Sequence, residues 1–528
     1  MPVTVVNMIP KALSGETNQD SEPNLAINPN NTKQIVGTAF TPNPSGGSLA
    51  PIFVSSDGGQ TWVLNAIVPG ASSSFPTFDI TMKFGGTSNT LYGGIIRADN
   101  TNMAILRTKN YLSNTPMTVL LNRAPSGGSI DDQPWIQATT ATSVSGSPDR
   151  VYVGSNDQLT SPKSAHMDQS LSAATAAPPA GFTAAGIGLA SRSPAGGQNG
   201  PSIRQTIHSS GRIYVAYFNW TAFSSASNIT SDVVVCRDDN WGQGGSPYTA
   251  LVDPGDSKAG MRVVKGVTIP WRNSHFIGQE RVGSHLAIAV DPTNSNTVYL
   301  AWCDSPGGTG PYTIHLRKST NSGVTWSADI RTVANGINPG LAVNSSGHVG
   351  FLYQTLTTNG TKWETHIEIS NNGFSTAPTP IVLAKVPSAT PVASFLPYLG
   401  DYIYLTAVGT TFYGIFSANN TPDNANFPNG VKYQRNANFT THQLLNVNNV
   451  TPVAVSIDPF FFSVTEGITI QPIQTISPIH VVAPIQTITP IHTIVPIQTI
   501  APVHSIGPIE PIDPIEPVEP AKPQKPKK

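Results

Sequence analysis

Charged side chains are scarce in this chain: they make up 11% of its 528 residues, and 29 Lys and Arg nearly balance 30 Asp and Glu. Without an excess of positive charge, no basic field exists to attract a nucleic acid or an anionic membrane surface. Nucleic-acid binding is therefore not expected. The surface must be covered mainly by Asn, Ser, Thr, Gln and Gly, which favours an extracellular or cell-surface protein and leaves a cytoplasmic one open.

Cysteine and long apolar runs are scarce as well. Cys236 and Cys303 are too few for a disulfide scaffold and lack metal-ligand spacing, so both are predicted to be unpaired and buried. No apolar run approaches the roughly 18 to 20 residues of a membrane helix, so we expect a soluble protein without a membrane span. The opening residues MPVTVVNMIPKALSGE lack the features of a secretory signal, and export would need another route.

Convincing helical periodicity is hard to find, whereas short β-branched or alternating runs bounded by Gly, Pro, Asn and Asp are frequent. These runs form a recurring unit: a polar start, an apolar strand, a turn, and a second strand rich in aromatic or apolar residues. Its spacing of roughly 45 to 85 residues suits four-stranded propeller blades with variable loops. The seven unit starts are Ser21, Phe78, Asp132, Asn199, Ser284, Asn338 and Leu399.

Two turns within these units share one eight-residue pattern, SSDGGQTW from Ser55 and STNSGVTW from Ser319. Asp57 and Asn321 can accept backbone N–H bonds across their own turns, Gly59 and Gly323 permit positive φ, and Trp62 and Trp326 can pack between strands. The pattern resembles the Asp box, or bacterial neuraminidase repeat, of sialidase-like propellers. Further positions resemble weaker copies: SNNGF from Ser370 and RDDNWG from Arg237.

The predicted fold is therefore an all-β propeller of four-stranded blades over residues 1–466, with seven blades favoured and six as the alternative. A propeller closes its ring by pairing one chain end into the blade made by the other. The opening run Val3–Val6 and the terminal runs Val453–Ile457 and Phe460–Val464 are the natural partners. We expect these runs to share a blade.

The composition changes after Glu466. Proline recurs every six residues from Pro472 to Pro508 and every three from Pro508 to Pro526, which excludes a central strand and favours polyproline II. Residues 467–528 are thus predicted to be an extended or disordered tail, either a spacer or a docking arm that binds a partner or a second copy through its isoleucines. Its histidines, His480, His492 and His504, are too far apart for a compact metal site.

The starts of the innermost strands should converge at one mouth of the central channel, where a site is expected. The candidate catalytic residues by position are Asp132, Arg204, Arg281, Asp401 and Tyr402. The candidate binding residues are Glu22, Asp79, Glu280 and His285. Further polar residues at these starts are Asp131, Asn199 and Asn338. Each also has a structural interpretation: carboxylates can bond amides at strand entries, arginines can pair with nearby carboxylates, Tyr402 can pack in a turn, and His285 can be a hydrogen-bonded core residue.

The resemblance to sialidases implies three arginines that hold the sialic acid carboxylate, a Tyr nucleophile activated by Glu, and an Asp acid. The chain departs from that family. It lacks the Arg-Ile-Pro motif of the first arginine, it shows seven units where the family has six blades, and no Tyr matches by motif. No catalytic residue is carried over.

Three functions follow as alternatives: a glycan-directed binding or surface module, a sialidase-like or broader glycoside hydrolase, and an assembly protein connected through its tail. The expected partners are glycans or a surface protein. No cofactor is required, although Asp- and Asn-rich turns could supply oxygen ligands to calcium.

Overall fold

The computed structural model describes residues 2–40, 52–69, 77–97, 102–123, 132–157, 164–183, 186–189, 192, 199–225, 228–270, 281, 285–308 and 312–466. The chain divides into two compact units, Met1–Ile468 and Thr469–Lys528. The proline-rich tail, with its histidines and its predicted docking stripe, lies outside the described residues.

Strands dominate the described chain. They form seven four-stranded antiparallel sheets and a small three-stranded sheet. Helix in the described ranges is limited to three short 3-10 turns, Lys11–Leu13, Pro306–Gly308 and Asn424–Asn426. None of the helices in these ranges approaches the length and apolarity needed to cross a membrane.

The first strand, β1 (Val3–Asn7), belongs to the last sheet. The strands of the first three sheets follow in chain order. Sheet 1 contains β2 (Ser21–Ile27), β3 (Ile35–Phe40), β4 (Ile52–Ser55) and β5 (Val63–Leu64). Sheet 2 contains β6 (Thr77–Phe84), β7 (Leu91–Arg97), β8 (Met103–Thr108) and β9 (Thr118–Arg123). Sheet 3 contains β10 (Asp132–Thr140), β11 (Asp149–Asp157), β12 (Ser164–Ser170) and β13 (Ile187–Gly188).

The remaining sheets continue the same up-and-down order. Sheet 4 contains β14 (Ile203–Ile207), β15 (Ile213–Ser225), β16 (Asn228–Asp238) and β17 (Met261–Thr268). Sheet 5 contains β18 (Leu286–Asp291), β19 (Asn294–Asp304), β20 (Thr313–Ser319) and β21 (Arg331–Ala334). Sheet 6 contains β22 (Gly336–Val343), β23 (Val349–Leu356), β24 (Lys362–Ser370) and β25 (Ile381–Pro387). Sheet 7 contains β26 (Tyr404–Val408), β27 (Thr411–Asn419), β31 (Ile457–Thr465) and β1. The small sheet contains β28 (Asn436–Asn438), β29 (Gln443–Leu445) and β30 (Pro452–Val453).

The first strands of the seven sheets, called the inner strands below, contact one another in a cycle. The order is β2, β6, β10, β14, β18, β22 and β26, and β26 contacts β2 again. Each predicted unit start lies within about five residues of one inner strand. Seven sheets arranged in this way are consistent with the blades of a propeller.

The first and the last strand of the described chain, β1 and β31, pair in sheet 7, as predicted. Strand β1 pairs antiparallel with β31, with Val3 opposite Val464 and Asn7 opposite Phe460. The prediction was wrong in one part: Val453 lies in the small sheet, because β31 begins only at Ile457. Apolar side chains from neighbouring sheets form the core, and Cys236 and Cys303 are buried and unpaired in it, as expected.

Candidate functional site

The two turns of shared sequence have nearly the same geometry. Asp57 Oδ1 accepts hydrogen bonds from the backbone N–H of Gln60 (3.0 Å) and Thr61 (2.9 Å), and Trp62 Nε1 donates to the Gly59 carbonyl (3.0 Å). Gly59 has φ of +87°, and a Cβ there would lie 2.2 Å from Phe461. Only glycine therefore fits this position.

The second turn repeats two of these three bonds, with an amide in place of the carboxylate. Asn321 Oδ1 accepts from the Thr325 N–H (2.9 Å), and Trp326 Nε1 donates to the Gly323 carbonyl (3.1 Å). In one of the weaker copies Ser370 Oγ accepts from the Phe374 N–H (2.7 Å). In the other, Asp238 Oδ1 accepts from the Asn240 (2.8 Å) and Gly242 (2.7 Å) N–H groups. These turns lie at the ends of outer strands and fix local structure.

Polar side chains converge where the inner strands begin, at what we call the mouth. Four carboxyl groups lie there on three inner strands and on the segment that leads into β26: Glu22, Asp79, Asp132 and Asp401. Glu22 and Asp401 both lie within 3.7 Å of Arg281, Tyr402 bonds Asp79, and, besides burial, the charge of Asp132 raises the pKa of both Asp79 and Asp401. Asp132 is partly exposed, whereas the others are buried. The convergence follows from the topology, because the inner strands run in the same direction.

Arg281 and Asp401 form the central ion pair of the mouth. Arg281 Nε donates to Asp401 Oδ1 (2.9 Å) and Nη2 donates to Asp401 Oδ2 (2.5 Å), a bidentate arrangement. Glu22 Oε1 lies 3.7 Å from Arg281 Nη2 and accepts the Asp401 backbone N–H (3.2 Å). Burial works against the charged form of Arg281, but Asp401 and Glu22 outweigh it and raise its pKa above the ordinary value.

Tyr402 and Asp79 form a second couple. The Tyr402 hydroxyl donates to Asp79 Oδ1 at 2.9 Å. Burial, together with the charges of Asp132 and Asp401, raises the pKa of Asp79 to about 7. Burial and the neighbouring Asp79 charge raise the pKa of Tyr402 well above its ordinary value.

The remaining buried carboxyl groups are also harder to ionise than usual. Burial raises the pKa of Asp401 to about 6, although the Arg281 guanidinium opposes the shift. Burial and the charges of Asp79 and Asp401 raise the pKa of Glu22 well above its usual range. Near neutral pH the mouth therefore holds protonated and ionised carboxyl groups side by side, an arrangement suited to acid–base chemistry.

Gln133, which the sequence analysis did not single out, links the mouth to the layer below it. Its Nε2 donates to Asp401 Oδ2 (3.1 Å), and its Oε1 accepts from Arg204 Nη2 (2.6 Å). Gln133 has φ of +48°, and Glu22 (+52°) and Asn338 (+53°) share this left-handed conformation. Each of the three precedes a proline at a register shift of an inner strand. This repeated polar-Pro pair was the available sequence signal.

Arg204 lies beneath the mouth, only 2% exposed. Its guanidinium carbon sits 3.9 Å from the centre of the Trp135 ring and 5.5 Å from that of Tyr402. Burial lowers the pKa of Arg204 to about 10. Arg204 and Arg281 are thus near the same carboxylates, but Arg204 is separated from the mouth by Gln133.

His285 and Asn338 differ in their described hydrogen bonds. His285 is buried, and no hydrogen bond to either ring nitrogen is found in the described ranges, which leave out residues 271–280 and 282–284. The interpretation of His285 as a hydrogen-bonded core residue therefore has no supporting contact among the described residues and stays a prediction. Burial and the Arg281 and Arg204 charges lower the pKa of His285 to about 3. Asn338 donates to Gln354 Oε1 (3.0 Å), a structural contact.

No described hydrogen bond joins Asn199 to the four carboxyl groups of the mouth. Asn199 is buried, and its carbonyl accepts from Asn156 Nδ2 (3.2 Å). Asp131 and Glu280 lie outside the described residues.

A separate carboxyl cluster lies between the segment that precedes β2 and the start of β31. One oxygen each of Glu16, Asp20 and Asp458 lie within 4.8 Å of one another. Burial and the charges of Asp20 and Asp458 raise the pKa of Glu16 to about 10. Arg435 pairs with Asp458 and so supplies a positive charge from the protein itself. Calcium binding stays a prediction.

Solved structures with a similar chain path include several carbohydrate-active enzymes. A GH74 enzyme from Niastella koreensis is 13% identical, with 77% of this chain and 64% of that chain covered and a TM-score of 0.35. An α-L-arabinanase from Penicillium chrysogenum, complexed with arabinobiose, is 11% identical over 86% and 97% of the two chains, with a TM-score of 0.37. The endosialidase of phage phi92 is 12% identical over 89% and 70%, with a TM-score of 0.38.

No protein-family model matches the sequence, and the search of curated proteins finds no match either. TM-scores below 0.5 leave the function to be argued from the geometry of this chain.

Proposed function

We propose that the chain is a seven-bladed β-propeller that hydrolyses a glycosidic bond at the mouth. The observation that carries the proposal is the convergence of four carboxyl groups from separate sheets, with one of them titrating near neutral pH. Glycosidases need one protonated carboxyl group to donate to the leaving oxygen and a second carboxylate to support the sugar cation or activate water.

Asp79 is the group we assign as the acid. Its pKa of about 7 keeps a proton available at neutral pH, and the Tyr402 hydroxyl fixes its Oδ1 at 2.9 Å. Asp132 is the partner that we assign to the sugar cation or the attacking water, because it is the only one of the four carboxyl groups that is partly exposed. The proton from Asp79 goes to the leaving oxygen as the C–O bond breaks. Water adds its hydroxyl to the sugar and gives its second proton to Asp132 or to the deprotonated Asp79.

Arg281 and Asp401 hold the mouth in shape. Arg281 is also accessible, with its side chain 25% exposed, so its outer face can donate to sugar oxygens. Among the described residues the carboxyl groups outnumber the arginines at the mouth. This excess favours a neutral glycan, although Arg281 leaves sialosides as a substrate to be tested.

The two matched turns support the sialidase-like form of the proposal. We propose that the turns at Asp57 and Asn321 are Asp boxes, because each joins a polar turn residue, a positive-φ glycine and a Trp that bonds back to that glycine. Such turns stabilise blades and do not take part in catalysis.

The test is a screen of arabinan, xyloglucan, neutral aryl glycosides and sialosides with the full-length protein. We expect hydrolysis of one of these classes by the wild type and losses of about 10²-fold or more in Asp79→Asn and Asp132→Asn. Asp291→Asn is the matched control, since Asp291 ends the inner strand β18 away from the mouth. Equal activity in all three variants would reject this site.

A glycan-binding module without turnover is the second candidate. It is favoured by the hydrogen bonds that Arg281 makes to Asp401 and that Tyr402 makes to Asp79, because these bonds occupy polar groups that catalysis would use. Calorimetry with the same glycans separates the two: saturable binding weakened by Asp132→Asn, without product, would assign binding. The tail-connected assembly protein stays an expectation, since the tail is outside the described residues.

A further inference from the structure

The channel below the mouth holds a cavity of about 220 Å³ between the inner strands. Trp135, Arg204 and Tyr402 line it on the side of the mouth, and Lys83, Gln137 and Tyr404 are among the polar residues further along. The cavity is separate from the candidate catalytic carboxyl groups, none of which lines it.

The cavity is positively charged. Arg204 and Lys83 are its charged lining residues in the part of the chain that the structure describes, and no Asp or Glu is among that lining. The mouth, by contrast, is rich in carboxyl groups. The side chains of the two places therefore differ in charge.

Arg204 lacks partners for much of its hydrogen-bonding capacity. Its Nη2 donates to Gln133, but no described residue accepts from its buried Nε or Nη1. A buried charged donor left without an acceptor costs about 1–3 kcal/mol or more. The stacking of the guanidinium on Trp135 at 3.9 Å fixes the orientation of these donors.

Lys83 supplies a second positive charge, and its described hydrogen bonds go to hydroxyl groups and not to a carboxylate. Its Nζ donates to the hydroxyls of Tyr404 (3.2 Å) and Thr406 (3.4 Å). Gln137 Nε2 also donates to the Tyr404 hydroxyl at 3.3 Å. The Tyr404 oxygen thus accepts two bonds and keeps its own proton to donate to a ligand.

We propose that this cavity binds a small oxyanion, a sulfate or phosphate group that is either free or carried by a small sugar. The ligand would lie against the Arg204 guanidinium at one end and accept hydrogen bonds from Lys83 and the Tyr404 hydroxyl at the other. Guanidinium groups bind such oxygens through pairs of parallel N–H bonds. The proposal is independent of hydrolysis at the mouth.

The test is calorimetric titration of the full-length protein with inorganic sulfate and inorganic phosphate at constant ionic strength, with chloride as the balancing anion. We expect one saturable site per chain and a matching rise in Tm with ligand concentration. Arg204→Gln should abolish binding, but it risks misfolding. Lys83→Gln is therefore the deciding variant and should weaken binding about tenfold or more.

Lys318→Gln is the matched control. Lys83 Nζ lies 5.7 Å from the centre of the Tyr404 ring, and Lys318 Nζ lies 5.9 Å from that of Tyr299, outside the cavity. Unchanged binding in Lys318→Gln and weakened binding in Lys83→Gln supports the proposal. A hexose phosphate that binds more tightly than inorganic phosphate identifies a sugar ester as the source, and the reverse identifies the free ion. Absence of saturable binding, or equal binding in both lysine variants, overturns the proposal.

Discussion

Three polar residues of the inner strands have a left-handed backbone conformation that residues other than glycine rarely adopt. Glu22, Gln133 and Asn338 all have φ near +50° and all precede proline. Such a conformation costs about 1–3 kcal/mol per residue and persists where the surrounding structure enforces it. The inner-strand bulges enforce it here, and they turn Glu22 and Gln133 towards Asp401.

The proposed acid predicts a pH profile. Because Asp79 must be protonated to donate, kcat/KM should fall as pH rises through about 7. The Asp79→Asn variant should no longer show this fall in kcat/KM near pH 7. It should also lose most of its activity on glycosides with poor leaving groups. It should keep more activity on aryl glycosides whose leaving group needs no proton. A pH profile unchanged by Asp79→Asn would assign the acid to another residue.

Glu16 predicts an effect of pH on stability. Its pKa is about 10 in the folded protein and near 4.5 in the unfolded chain, so ionisation opposes folding increasingly as pH rises above about 4.5. In the metal-free protein, Glu16→Gln should therefore raise Tm at pH 8 relative to the wild type and change it less at pH 4. Thermal unfolding of the variant and the wild type in the presence of EDTA measures the Tm difference at each pH.

Asp57→Asn is the control, because the pKa of Asp57 is shifted in the opposite direction to that of Glu16. Partial burial opposes ionisation of Asp57, but hydrogen bonds from Thr61, Ser55 and Gln60 outweigh it and lower its pKa. Its contribution to stability is present above the unfolded pKa and is lost as pH falls. A Glu16→Gln variant that is less stable than the wild type at pH 8 would contradict the assignment of Glu16.

The convergence of residues could be predicted from sequence where topology alone sets their position, whereas their roles stay predictions. Glu22, Asp79, Asp132 and Asp401 could be placed together because each lies at the start of a repeated unit. Gln133 was missed because an uncharged amide carries no functional signal on its own. The orientation of the Arg204 side chain could not be predicted, since it depends on packing against Trp135.

At the scale of elements, one turn design recurs with different chemistry. A carboxylate in the first copy and an amide in the second accept the same backbone bond, from Thr61 and Thr325 respectively. Asn321 also donates through Nδ2 to the Thr325 hydroxyl (2.9 Å), where Thr61 donates to Asp57 (2.6 Å). The amide can therefore replace the carboxylate because one hydrogen bond changes direction: Asn321 donates to the Thr hydroxyl, whereas Asp57 accepts from it.

This equivalence predicts unequal costs for two substitutions at Asp57. Asp57→Ala removes the acceptor of both backbone bonds and should cost about 1–2 kcal/mol of stability. Asp57→Asn should cost clearly less at neutral pH, because Asn321 makes the corresponding contacts. Denaturant unfolding of both variants measures the difference, and equal losses would show that charge rather than hydrogen bonding stabilises the turn.

Element boundaries were predictable where a strand had a clear polar start and an apolar run. The unit at Ser21 begins at the first residue of β2, and the one at Asp132 begins at the first residue of β10. The small sheet was missed because β28, β29 and β30 have only two or three residues each, too few to show a period of two.

At the scale of the molecule, closure depends on a short strand at the chain start. Strand β1 pairs with β31 in sheet 7, and β1 is followed by backbone bonds that tie Asn7 to Lys432 and Met8 to Pro459. The closure was predictable because the two apolar end runs had no other partner in the repeat. Without β1, one side of β31 would present unpaired N–H and C=O groups, which favour aggregation.

Deletion of residues 2–9 therefore tests the closure. We expect this variant to unfold at a clearly lower Tm than the full chain and to form oligomers through the freed edge of β31, as seen by light scattering. A chain that ends at Ile468 is the control, because it keeps the whole first compact unit and should retain the Tm of the full chain. If the chain without residues 2–9 stays monomeric with an unchanged Tm, β1 does not stabilise the ring.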